Sequence, residues 1–180
     1  AGTSGDGILR STDGGKSWEP TTSDAKMTGN SVYALLYSTV TPGLCYASMP
    51  NRVLRSKDGG ATWTRKSLTP LPNAIYRLRT HSGNDAVVLA ATETGIFRSE
   101  NFGETWSRIT SAPATDVAQD PVYPGFWYAG VPGAGVLESS DGGVSFHAFG
   151  GACTPIPGTI GRIEIAVTPA SLAKYVYAVV

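Results

Sequence analysis

One octapeptide recurs four times and sets the length scale of everything else in the chain. Ser11-Thr12-Asp13-Gly14-Gly15-Lys16-Ser17-Trp18 returns as Ser56-Lys57-Asp58-Gly59-Gly60-Ala61-Thr62-Trp63, as Ser99-Glu100-Asn101-Phe102-Gly103-Glu104-Thr105-Trp106, and as Ser139-Ser140-Asp141-Gly142-Gly143-Val144-Ser145-Phe146. The leading serines stand 45, 43 and 40 residues apart. A period of about 40–50 residues belongs to propeller blades and solenoid units, in which like parts stack on one another. Before each copy lies a short apolar run: Gly7-Ile8-Leu9-Arg10, Arg52-Val53-Leu54-Arg55, Gly95-Ile96-Phe97-Arg98 and Gly135-Val136-Leu137-Glu138. After each copy an aromatic residue leads into polar ones, so the octapeptide connects the two strands of a β-hairpin.

Two further runs precede each hairpin. The first set is 32–37, 75–78, 115–118 and 162–167; the second is 44–47, 87–90, 126–129 and 175–178. Pro42-Gly43, Ser82-Gly83-Asn84, Pro124-Gly125 and Pro169-Ala170 separate them as turns. Each unit therefore predicts four short antiparallel strands, and no stretch carries a helical period with caps. The units fall at 31–66, 73–109 and 114–149, with half-units at 1–20 and 160–180, in a single domain spanning 1–180. Longer loops are expected at 21–30, 69–73 and 150–159. The 22 glycines and 12 prolines suit such a turn-rich, all-β chain.

The octapeptide has a physical rationale. A tight hairpin loop forces some backbone to positive φ, which glycine adopts without steric cost. Asp, Asn and Ser side chains bond nearby amides and hold such turns. The third copy keeps Gly103 while replacing the preceding glycine by Phe102, so Gly103 is expected to be the position that needs positive φ.

This pattern resembles the Asp-box, or bacterial neuraminidase repeat, Ser-x-Asp-x-Gly-x-x-Trp/Phe, over essentially the whole chain. The resemblance implies a β-propeller of four-stranded antiparallel blades, with the box at the blade periphery. It implies a turn-stabilising role for Ser11, Asp13, Gly15 and Trp18, for Ser56, Asp58, Gly60 and Trp63, for Ser99, Asn101, Gly103 and Trp106, and for Ser139, Asp141, Gly143 and Phe146. Asp-box families usually form larger propellers, and the chain starts and stops at corresponding points of a second strand. About four repeats of a larger ring are therefore expected, completed by further blades or by self-association. A ring of four blades closed by the two half-blades is the alternative.

Charge and composition remove several function classes. Fourteen Lys+Arg cancel fourteen Asp+Glu, which leaves no basic excess for nucleic acid. No apolar run reaches the roughly 18 residues of a membrane span. His81 and His147 lie far apart without ligand spacing, and no phosphate loop or dinucleotide fingerprint occurs, so no metal and no cofactor are expected. Cys45 and Cys153 are expected to be thiols, a disulfide being the alternative.

The families that share the box pull in different directions. Sialidases carry an Arg-Ile-Pro motif, whereas Arg108-Ile109 here precedes Thr110 and Arg162-Ile163 precedes Glu164. Xyloglucan-active glycoside hydrolases use two carboxylates flanking a sugar. Asp116 and Asp120, at the ends of one innermost strand, are the candidates for that role. Trp127 is a candidate sugar platform, with blade core as the competing reading. Sortilin-type receptors bind peptides in the propeller tunnel, and photosystem II assembly factors bind a partner protein through a basic patch. Arg77 and Arg79, alternating on one strand, and Arg162 on the equivalent strand of another unit are candidate ligand contacts of that kind. The overall texture is similar to uncharacterised exported bacterial repeat proteins. The sequence thus points to a non-catalytic, extracytoplasmic binding or scaffolding propeller for a protein or polysaccharide ligand. A fragment of a glycoside hydrolase is the alternative.

Overall fold

The computed structural model describes residues 1–21, 30–66, 72, 74–150, 161–169 and 176–179. The expected loops at 21–30, 69–73 and 150–159 lie largely outside them, and Cys153 lies wholly outside. All regular structure among the described residues is β. Among them no helix is long and apolar enough to cross a membrane. Eighteen short strands follow in chain order. β1 (Ser4–Gly5), β2 (Leu9–Arg10), β3 (Glu19–Pro20) and β4 (Asn30–Ser31) come first. The next four are β5 (Ala34–Tyr37), β6 (Cys45–Met49), β7 (Arg52–Ser56) and β8 (Thr64–Lys66). Then come β9 (Ile75–His81), β10 (Asn84–Thr92), β11 (Gly95–Ser99) and β12 (Ser107–Thr110). The last are β13 (Asp116–Gln119), β14 (Trp127–Val131), β15 (Gly135–Ser139), β16 (His147–Ala148), β17 (Glu164–Val167) and β18 (Val176–Val179).

Three four-stranded antiparallel sheets, β5-β6-β7-β8, β9-β10-β11-β12 and β13-β14-β15-β16, are simple up-and-down meanders. Two-stranded sheets β2-β3 and β17-β18 flank them, and β1 pairs with β4. Meander topology follows from the short turns between runs, since the two to seven residues between these strands can join only antiparallel neighbours. The first strand of each sheet meets the first strand of the next, β5 on β9, β9 on β13 and β13 on β17. These four strands form one continuous inner wall.

The core sits between sheets. Alternate side chains of a strand point to opposite faces, so each sheet buries one set against its predecessor and the other against its successor. Tyr46 and Val53 pack on Leu78, Val88 and Phe97. Leu89 and Ile96 pack on Val117, Trp127 and Ala129. Tyr128 and Val136 pack on Ile163 and Ile165. Ile8 packs on Ala47, Leu54 and Trp63.

The four boxes share one bonding scheme. Each serine hydroxyl accepts from the glycine amide four residues on, at 2.8 Å for Ser11 and Ser56 and 2.9 Å for Ser99 and Ser139. It donates in turn to the Asp or Asn side chain two residues on, as Ser56 does to Asp58 at 2.7 Å. That side chain also accepts the amide of the seventh residue, as in Ser17, Thr62, Thr105 and Ser145. The tryptophan Nε1 of Trp18, Trp63 and Trp106 donates to the carbonyl of its own box glycine. Gly103 has φ 77°, as expected, but Phe102 before it also takes φ 59°, so both central positions are left-handed. Phe102 remains 41% exposed, where nothing crowds its side chain into the turn.

Candidate functional site: the inner wall

The inner wall is built from residues at matching register. Arg77 pairs with Ala91 and thence with Ile96; Asp116 pairs with Gly130 and thence with Val136. Ile96 and Val136 each stand three residues before their box serine. Arg77 and Asp116 therefore occupy the same position in successive units, and Glu164, opposite Val179 on β18, is the next member of the row. The row holds one cation and two carboxylates, and Arg77 reaches both carboxylates. Arg77 Nε donates to Asp116 Oδ1 at 2.7 Å, and its Nη2 lies 3.7 Å from Glu164. Arg162 Nη2 lies 3.1 Å from the same Glu164 oxygen.

Asp116 is the buried member, with 2% of its side chain exposed. Oδ1 also accepts the Val117 amide at 2.9 Å, and Oδ2 accepts the Ile165 amide at 2.8 Å. A carboxylate that receives a guanidinium and two amides from three sheets is a structural strut; its acceptor sites are aimed at protein. The sequence candidate Asp116 thus stands in the wall with both oxygens turned towards protein groups. The other sequence candidate, Asp120, lies at the end of the same strand. It is buried, and its Oδ1 accepts the Val122 and Tyr123 amides at 2.8 Å, closing the turn between β13 and β14. Trp127, the candidate platform, is fully buried between two sheets, with Leu89 and Ile96 on the facing side.

Arg79 differs from its neighbours. It is half-buried on β9, and its hydrogen bond among the described residues is a marginal 3.5 Å donation to the Leu78 carbonyl. Burial, then the nearby Arg77 charge, lower its pKa; Asp116 opposes them. A guanidinium stays protonated regardless. The wall thus holds a partly desolvated cation with no carboxylate of its own among the described residues. Among those residues no group of His, Cys, Asp and Glu is placed to hold a metal ion. Cys45 is a buried free thiol whose pKa is raised, chiefly by burial.

Sequence reasoning missed two features. The seventh box residue is Ser or Thr in all four copies, a signal in plain view. Its hydroxyl donates to the Asp at 2.6 Å in the first, second and fourth boxes. In the third, Asn101 Nδ2 donates to Thr105 Oγ1 instead, at 2.9 Å. The charge row could not be found locally, since Arg77 and Asp116 lie 39 residues apart.

Known proteins agree on the fold. The structure superposes on an ancestral GH74 enzyme with a TM-score of 0.72 at 20% identity, covering 93% of this chain and 24% of that one. The GH74 xyloglucanase from Xanthomonas campestris gives 0.70 at 18% identity, covering 93% and 30%. YCF48 bound to D1 peptide gives 0.60 at 18% identity, covering 81% and 48%. The chain thus spans less than half the length of each of these relatives, and identities this low speak for the fold alone. No curated protein matches the sequence. The family model described as photosynthesis system II assembly factor YCF48 matches residues 2–135. A chain of Asp-box units stacked as propeller blades, matched over that span, belongs to the photosynthesis system II assembly factor YCF48 family.

Proposed function

We propose that the chain is a non-catalytic binding module whose inner wall holds a segment of a partner protein by an acidic group. The observation that carries this reading is Arg79, a half-buried cation beside the already paired Arg77. A carboxylate reaching it would gain a charge-assisted bond in a partly water-excluded setting, where such bonds are strongest. The solved relative YCF48 with its D1 peptide lends support, as a propeller of similar fold that takes a peptide.

The likeness to GH74 enzymes favours a second reading, a piece of a glycoside hydrolase. That chemistry needs two available carboxylates about 5–9.5 Å apart. Both oxygens of Asp116 and Oδ1 of Asp120, the sequence candidates, accept backbone amides, so on this reading the pair lies at least partly outside this segment.

Fluorescence anisotropy with labelled Asp- and Glu-rich peptides tests the first reading. Binding is expected to weaken at high salt and to fall about tenfold or more in Arg79→Ala, with Arg65→Ala on the exposed β8 as the control. Equal binding by Arg79→Ala and the unaltered chain would defeat it.

A further inference from the structure

A cleft of about 340 Å³ opens where the third, fourth and last sheets converge. Its walls are Tyr76, Pro113 and Pro132, its floor is Thr115, and Glu93 and Arg162 stand in its lining. The volume sits at the lower end of the range for ligand sites, large enough for one bulky side chain and its neighbours.

Backbone bonds build the cleft in advance of any ligand. Thr115 Oγ1 accepts the Ile163 amide and donates to the Ile163 carbonyl, both at 2.8 Å, which fixes the floor to the segment just before β17 that carries Arg162. The Thr115 amide donates to Gly130 and the Ala114 amide to Thr92, each at 2.9 Å. A turn closed from Ala134 to Val131 at 3.0 Å presents Pro132. Two prolines and a fixed floor lose little conformational freedom when a ligand enters, so binding there is pre-organised.

The chemistry of the lining selects the occupant. Rigid proline walls with one tyrosine accept an aliphatic or aromatic side chain by shape. Arg162 is exposed, and one of its guanidinium nitrogens pairs with the exposed Glu164, so most of its donors still face solvent. A guanidinium of that kind matches a carboxylate. A sugar would find one aromatic ring and few converging polar groups.

We infer that this cleft takes a bulky apolar side chain of a protein segment whose neighbouring carboxylate meets Arg162. The inference rests on the reading of the inner wall as a protein-binding surface and adds to it the kind of segment recognised: an apolar anchor beside an acidic residue.

Amide-resolved NMR of the ¹⁵N-labelled 180-residue chain tests it, with capped glycine peptides carrying one leucine and one glutamate as the probe. Shift changes are expected at Tyr76, Glu93, Thr115 and Arg162. They are expected to weaken about tenfold when the peptide's leucine becomes alanine, when its glutamate becomes glutamine, or in Arg162→Gln. Tyr76→Phe should retain binding and Tyr76→Ala should weaken it. Changes confined to Arg77 and Arg79, indifferent to the leucine, would overturn the cleft while leaving the inner-wall reading intact. No changes at either place would overturn both. Equal changes at the cleft with cello-oligosaccharides would replace the protein segment by a glycan.

Discussion

The carboxylates of the boxes make the turns sensitive to acid at the level of single residues. Asp13 and Asp58 are held far below the ordinary carboxylate range. The hydroxyl of Ser17 or Thr62 contributes most, followed by that residue's amide and then the box serine. For Asp141 burial pushes upward, but the hydroxyl and amide of Ser145 and the hydroxyl of Ser139 outweigh it and the pKa is lowered. A depressed folded-state value contributes stability that is present above the unfolded value of about 3.9 and is lost as pH falls below it. The third box has Asn101 and nothing to titrate there. Protection of the Thr62 and Ser145 amides is therefore expected to fall as pH drops from about 5 towards 2, while that of Thr105 holds. Asn101→Asp should bring Thr105 into line with the others. Hydrogen exchange followed amide by amide reads this directly, and a Thr105 amide that already follows Thr62 in the unaltered chain would refute it.

Between elements, an arginine placed just before the box ties each sheet to the next. Arg55 Nη1 donates to the Phe102 carbonyl at 2.8 Å, and Arg98 Nε donates to the Gly142 carbonyl at 3.2 Å. Arg10, at the same position in β2, lies against Gly59, where an added Cβ would sit 3.7 Å from its Nη2. The fourth copy has Glu138 instead. Arg55 also meets Glu104 at 2.6 Å, and Lys66 joins that carboxylate at 2.7 Å. Arg55→Leu removes a charged donor and strands the Phe102 carbonyl, a loss of about 1–3 kcal/mol. The exposed Arg65→Leu should stay within about 0.5 kcal/mol. Urea midpoints compare the two, and equal midpoints would show that the tie carries no weight. Strands and boxes were legible in the sequence because their signals are local: alternation within a run, and glycine with Asp or Asn in a turn. The ties were not, because each partner lies one unit away. Trp127 was ambiguous for a related reason. An aromatic residue in a strand does not say which of two faces it enters, and only the neighbouring sheet decides that it is core.

Across the whole molecule, stability should accumulate junction by junction, as in other stacked repeats. The junctions are quasi-equivalent: Leu78, Val117 and Ile165, at one register position, are all buried. Leu35, at the same position in β5, is 45% exposed, because no inner strand of a preceding sheet lies over it among the described residues. One junction is close enough to be opened selectively. Gly130 on β14 faces Ile163 so tightly that an added Cβ would lie 2.8 Å from the Ile163 Cβ and Cγ2 and 3.0 Å from its carbonyl oxygen. Gly130→Ala must push the last sheet away, at about 1–3 kcal/mol for overpacking. The displacement strains the bonds that cross this junction, Thr115 to Ile163, Asp116 to the Ile165 amide and Arg77 to Glu164. Protection from hydrogen exchange should therefore fall in β17 and β18, while β5 through β12, beyond the intervening sheet β13–β16, keep theirs. Any ligand held by Arg162 should weaken in parallel. Uniform loss of protection across all the sheets would instead mean that the arc unfolds as a single cooperative unit, with the junctions too strongly coupled for one to open alone.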